Sequence, residues 1–188
     1  MDRESDSMTS SQWQERCTSY LNARTGTYDF RCQRYDSVIN VMLDLGFAPD
    51  DLVVDLGAGQ CEFNHRMHER GLKARYLPID GAIDGTDLES WVPPQALAGD
   101  FFVLIEILEH LYGWDDLLRV IQPHVKKGII LTTPNGDRYD VFAMDSTHRV
   151  SLSKRHFEPS IGQGWITCYK SHFGRPEDSI LAYKRIGL

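Results

Sequence analysis

Two clusters in this 188-residue chain have residue types and spacings that can do chemistry. The first is Asp55-Leu56-Gly57-Ala58-Gly59, which follows the apolar run Leu52-Val53-Val54. Glycines at alternate positions let the backbone turn tightly after a strand and let a ligand approach it closely. A dinucleotide calls for Gly-x-Gly-x-x-Gly, with its pyrophosphate on the following helix N-terminus. Here Glu62 stands where the third glycine belongs, and Asp55 lies two residues before the first. Two carboxylates repel a pyrophosphate and suit a positively charged ligand without phosphate. The second cluster is Glu106-Ile107-Leu108-Glu109-His110, which closes the apolar run Phe101–Ile105. If this segment turns helically, Glu106 lies beside Glu109 and His110, at separations of three and four. Two carboxylates and an imidazole make a site for Mg²⁺ or Mn²⁺, with His148 as a fourth ligand. Alternatively His110 or His148, with Glu106 nearby, serves as the proton acceptor of a reaction.

The elements that must position these clusters alternate. Leu52–Leu56 reads as a strand, and a helix from about Glu62 to Arg70 is closed by Gly71. Ala74–Ile79 is a second strand, followed by an irregular stretch, Gly81 to Leu88, with room for a very short third. Phe101–Glu106 and Ile129–Thr133 are further strands, with a helix from about Trp114 to His124 between them. Strand–helix alternation implies parallel pairing with right-handed crossovers. Trp165–Phe173 and Ser179–Ile186 flank Gly174-Arg175-Pro176-Glu177-Asp178 and read as a hairpin. The expected fold is therefore α/β, a doubly wound, mostly parallel sheet with a C-terminal antiparallel β-hairpin. Upstream, Val38, Ile39, Met42, Leu43 and Leu45 form a helical stripe that stops at Gly46, and Gly26 divides the preceding region. Residues 1–11 read as a flexible lead-in and 12–188 as one domain.

Composition narrows the function. Hydrophobic residues make up 41% and charged residues 25%, as in soluble globular proteins. A net charge of −7 argues against long nucleic acid as a partner, although Arg149, Lys154, Arg155 and His156 form a local basic group. Cys17, Cys32, Cys61 and Cys168 include no Cys-x-x-Cys pair and suit reduced thiols in a cytoplasmic protein. Met1 to Ser11 has no apolar core of a secretory signal, and no apolar run is long enough to span a bilayer.

Asp-x-Gly-x-Gly after a first strand resembles the cofactor loop of class I S-adenosylmethionine-dependent methyltransferases, whose ligand carries an ammonium and a sulfonium. In that family the third small position falls at Cys61. The resemblance implies a cofactor site of Asp55, Gly57, Ala58, Gly59, Asp80, Gly81, Asp87, Leu88 and Glu106. Asp80 would accept from the ribose hydroxyls, and Asp87-Leu88 would meet the adenine. Glu106-x-x-Glu109-His110, then Thr133-Pro134-Asn135, then His148 resembles two subgroups. One methylates the 3′-terminal 2′-hydroxyl of small RNAs and holds a metal on these four acids and histidines. The other methylates catechol-like hydroxyls in ubiquinone biosynthesis. The strand end lacks the Asn/Asp-Pro-Pro-aromatic motif of DNA amino-methyltransferases. The expectation is methyl transfer to an oxygen of a small-molecule acceptor or a short RNA end, with Asn135 also facing the acceptor. The rivals are a non-catalytic cofactor- or partner-binding protein of the same fold and a nicotinamide oxidoreductase. Tyr20, Tyr28, Tyr35, Arg24, Arg31 and Arg34 form either part of a lid or an ordinary surface. His156 and Phe157 read as the start of a helix over the acceptor pocket.

Overall fold

The computed structural model describes residues 28–157 and 164–187. Expectations for the lead-in, Cys17, Tyr20, Arg24 and Gly26 lie outside the described residues. Helix α1 spans Tyr28–Asp44. It is followed by β1 (Leu52–Leu56), α2 (Glu62–Glu69), β2 (Arg75–Ile79) and β3 (Gly99–Ile105). Then come α3 (Trp114–Ile121), β4 (Val125–Pro134), the short helices α4 (Val141–Met144) and α5 (Lys154–Phe157), β5 (Trp165–Lys170) and β6 (Ser179–Arg185). The strand order is β2-β1-β3-β4-β6-β5. The first four strands pair in parallel, and β6 runs antiparallel to both β4 and β5. This is the doubly wound sheet with a terminal hairpin that the strand–helix alternation predicts.

The central strands are mostly apolar because both faces are covered. Successive side chains point to opposite faces. Phe101 and Val103 join one buried cluster with Val38, Ile39, Met42, Phe63 and Met67 of α1 and α2. Phe102 and Leu104 join the other with Leu117, Leu118 and Ile121 of α3. Gly46 ends the helical region in the left-handed conformation, as its position predicts. The stripe itself is shifted. Leu43 is 41% exposed, whereas Tyr35 and Val41 are buried. Helical spacing alone leaves the rotation of the buried arc open by about one residue, and contact with β4 and α2 sets it.

No third strand forms in 81–88, a run of turns. Glu106 is not part of β3. It adopts a left-handed φ of 57° at the strand end. The expectation of a helix over the acceptor pocket concerns residues after Phe157 as well, and 158–163 lie outside the described residues. Phe157 is fully buried between Trp114 and Trp165, and the His156 ring accepts from the Ser153 amide. Among the described residues no helix is long and apolar enough to cross a membrane.

Candidate active site

The C-terminal edge of β1 carries the glycine loop. Gly57 and Gly59 take φ values of 77° and 53°, which cost other residues steric strain. The Gly57 amide donates to the Ile79 carbonyl at 2.8 Å, tying the loop to the end of β2. A Cβ on Gly57 would fall 2.1 Å from Ile107 Cδ1, so the loop packs directly against the segment after β3. Asp80 secures the loop from the other side. Its Oδ2 accepts from the Gly59 amide at 2.9 Å and its Oδ1 from the Ala82 amide at 2.7 Å.

These residues wall a cavity of about 270 Å³ that reaches Asp55, Ala58, Gly81 and Leu88. Asp55 is 3% exposed. Burial pushes its carboxyl up to about 7, the hydrogen bond from Tyr76 opposes this, and the Asp80 charge adds to it. Tyr76, which sequence reasoning missed, lies on β2. Its neighbourhood with Asp55 follows from the parallel β1–β2 pairing and has no local sequence signal. Asp87 is exposed and absent from this wall. Its carboxylate caps its own turn, accepting from the Glu89 amide and the Ser90 hydroxyl. Thr86 and Leu88 reach the cavity instead.

Helix α1 forms the opposite wall. Arg31 and Tyr35 both reach Glu62 Oε2, at 2.5 and 2.8 Å. Burial and the Glu62 carboxylate raise the Tyr35 hydroxyl well above its usual pKa, so it stays a donor. Glu62 lies in the first turn of α2. A phosphate at this helix N-terminus would meet that carboxylate. Of the Tyr/Arg group, Tyr35, Arg31 and Arg34 line the first cavity.

A second cavity, of about 340 Å³, adjoins the first and shares Arg31, Arg34, Glu106 and His110 with it. Glu109 and His110 belong to a single 3₁₀ turn, Leu108–His110. Glu106 precedes that turn in its left-handed conformation. The expected i, i+3, i+4 arrangement therefore does not form. Glu106 instead faces Arg34, with Nε and Oε1 3.7 Å apart. The ligand atoms of Glu109, His110 and His148 do converge, all lying within 4.8 Å of one another. Glu109 is 1% exposed, and neither carboxylate oxygen has a hydrogen bond. Burial and the nearby charge of Glu106 hold its carboxyl well above the usual carboxylate range.

The loop 145–150 brings His148 to this point. Its Arg149 and Val150 amides donate to the Glu109 carbonyl at 2.7 and 3.2 Å. The His148 Nδ1 lies 2.6 Å from the Val141 carbonyl, so Nδ1 carries the proton and Nε2 the lone pair. His110 is set the same way. Thr147 Oγ1 donates to Asp145, so it accepts from His110 Nδ1, as does the Thr147 carbonyl. The two rings meet edge to face at 4.8 Å. Asn135 does not face the acceptor. It is fully buried, its amide donating to the Glu177 carbonyl and its oxygen accepting from the Asp137 amide. It anchors the hairpin loop to the end of β4.

Several solved structures share this architecture. A SAM-dependent methyltransferase from Archaeoglobus fulgidus superposes over 89% of this chain and 98% of its own, with a TM-score of 0.66 at 13% identity. A chain of the complex containing the Haloferax volcanii Trm112 methyltransferase activator matches over 91% and 96%, with a TM-score of 0.68 at 12% identity. The plantazolicin methyltransferase BpumL in complex with SAH matches over 95% and 94%, with a TM-score of 0.59 at 12% identity. No family model matches the sequence, and no curated protein matches it significantly. A parallel sheet closed by an antiparallel hairpin, with a glycine loop at the end of β1, gives this chain the fold of class I S-adenosylmethionine-dependent methyltransferases.

Proposed function

We propose that the protein transfers a methyl group from S-adenosylmethionine to an oxygen of a small acceptor held in the second cavity. The carrying observation is the pair of adjoining cavities, one floored by a buried acid under a glycine loop and the other lined by two histidines. The donor set of the first fits the cofactor. Asp80 keeps acceptor capacity for hydroxyls, Asp55 answers an ammonium, and Gly57 and Gly59 allow close approach. Glu62 at the helix N-terminus disfavours a pyrophosphate, which counts against the nicotinamide reading. The bound cofactor would supply an electrophilic methyl on sulfur.

This chain's own part is alignment and proton removal. Holding acceptor and methyl donor in neighbouring cavities makes the displacement effectively intramolecular. The Nε2 lone pairs of His110 and His148, fixed by the hydrogen bonds of their Nδ1 atoms, are placed to take the hydroxyl proton. Imidazoles that accept a proton at the acceptor wall favour catalysis over a purely cofactor-binding role. A short RNA end fits the same chemistry, and its larger footprint makes a small molecule the simpler acceptor for a chain of charge −7.

A second reading follows from the convergence of Glu109, His110 and His148. Two imidazoles and a carboxylate suit Mn²⁺ better than Mg²⁺. Ligands about 2.1 Å from one ion lie at most about 4.2 Å apart, so these side chains would close by several tenths of an ångström. In that reading Glu106 stays with Arg34 and does not ligate, and the ion would lower the acceptor's pKa.

Thermal melting tests the cofactor. S-adenosylhomocysteine should raise the melting temperature and NAD should not, since only a ligand of the native state stabilises it. Labelled methyl transfer to phenols, carboxylates and short RNAs, with and without chelator, tests the rest. A shift with NAD and none with S-adenosylhomocysteine would overturn the proposal.

A further inference from the structure

Arg34 is the least satisfied cation in the site. Its side chain is 8% exposed, and its Nε is buried with no hydrogen-bond partner among the described residues. Its ion-pair partner is Glu106, too far at 3.7 Å for a hydrogen bond, and Glu109 lies within reach of its charge. A guanidinium N–H buried without a partner is costly. The guanidinium is nevertheless held in place, with its carbon 4.5 Å from the centre of the Phe173 ring. Stacking of this kind fixes the plane of the fork. Phe173 belongs to the wall of the second cavity and not of the first.

From this we infer that Arg34 is a specificity-determining residue and that the methyl acceptor carries a carboxylate, bound by the Arg34 fork in the second cavity. A planar, pre-oriented guanidinium matches a carboxylate with two parallel hydrogen bonds. Glu106 and Asp145 lie in the same wall, so a singly charged anion is accommodated better than a doubly charged phosphate. The inference rests on the methyltransferase reading for the identity of the neighbouring ligand. It adds what the acceptor must look like.

The test uses the full chain loaded with S-adenosylhomocysteine and three probes: 3,4-dihydroxybenzoate, catechol and phenyl phosphate. Titration calorimetry should show the benzoate binding at least tenfold more tightly than catechol and more tightly than phenyl phosphate. Arg34→Leu, at a residue that borders both cavities, should erase the preference over catechol while S-adenosylhomocysteine still binds. Phe173→Leu, which keeps the charge and loosens the stack, should reduce the preference by several-fold and guards against a misfolded Arg34 variant. No carboxylate preference in the wild type would overturn the inference. So would an Arg34→Leu protein that keeps the preference and loses S-adenosylhomocysteine affinity, since Arg34 would then serve the cofactor's own carboxylate. Preference for phenyl phosphate would replace the acceptor class. Loss of S-adenosylhomocysteine binding by the wild type would strike the methyltransferase reading, whereas the probe ratio strikes only this one.

Discussion

The two cavities on either side of Glu106 are built by different means. The floor of the first is one short segment, residues 55–63, plus Asp80, held by backbone hydrogen bonds and left-handed glycines, with α1 and the segment after β3 closing its other walls. The second draws on distant pieces of chain: Arg34 of α1, the 3₁₀ turn after β3, the loop carrying His148, and Phe173 beyond β5. Those pieces are fixed by a few contacts, chiefly Glu109 to 149–150, Thr147 to His110, and Arg34 to Phe173. A loop set by backbone geometry tolerates side-chain change except at its glycines. A wall set by side chains from scattered segments can change its chemistry without disturbing the loop. Damage at a residue that lines only one cavity should therefore stay on that side.

The largest break in this comparison should come from Gly57→Val. The substitution adds a side chain at positive φ and drives it into Ile107. It should cost about 1–3 kcal/mol of stability by strain and overpacking. It should also lower S-adenosylhomocysteine affinity by at least about 100-fold, because the loop can no longer approach the ligand. Stability loss is thus expected along with binding loss, which the sequence alone does not suggest. Calorimetry on the folded fraction checks it. Normal affinity there would move the cofactor site elsewhere.

His148→Ala should do the reverse. Methyl transfer should fall by about 10²–10⁴-fold, the range for loss of a general base. S-adenosylhomocysteine affinity should stay within twofold, because His148 lines only the second cavity. A fall in both would mean that the cavities act as one site.

The smallest expected effect is in the pH dependence of stability. Asp55 has a folded pKa of about 7 against 3.8, so the native state holds the extra proton between these values. Its contribution to stability falls as pH rises through that window. His172, buried between Ser37 and Ser179, has its pKa lowered to about 3 from 6.5 by burial and then by Arg34 and Lys170. There the unfolded state holds the extra proton, so stability rises with pH up to 6.5. From pH 4 to 6.5 the rise from His172 opposes the falls from Asp55 and from Glu109, whose carboxyl burial also holds up, so the wild type should lose stability as pH rises. Asp55→Asn should flatten this slope and His172→Gln should steepen it, each by up to about 1.4 kcal/mol per pH unit. Denaturant titrations in the absence of ligand read both. Parallel slopes in the two variants would show that these groups do not govern the window.

Local chemistry made much of the molecule legible in the sequence. Apolar runs ending in glycine or proline mark β1 and β4, alternation with helices implies a parallel sheet, and Asp-x-Gly-x-Gly marks the loop at its edge. These signals are short-range, because strand burial, turn geometry and glycine's access to positive φ act over a few neighbouring residues. Only the tertiary structure decided the acceptor side. The spacing of Glu106, Glu109 and His110 predicts one helical face, but the left-handed turn at Glu106 and the 3₁₀ turn after it send Glu106 to Arg34. Asp87, in the irregular stretch after β2, and Asn135, at the end of β4, are consumed by capping and by the hairpin loop. Tyr76, Arg34 and Phe173 reach the site through strand pairing and helix packing, which join residues too far apart in sequence for any local pattern to connect them.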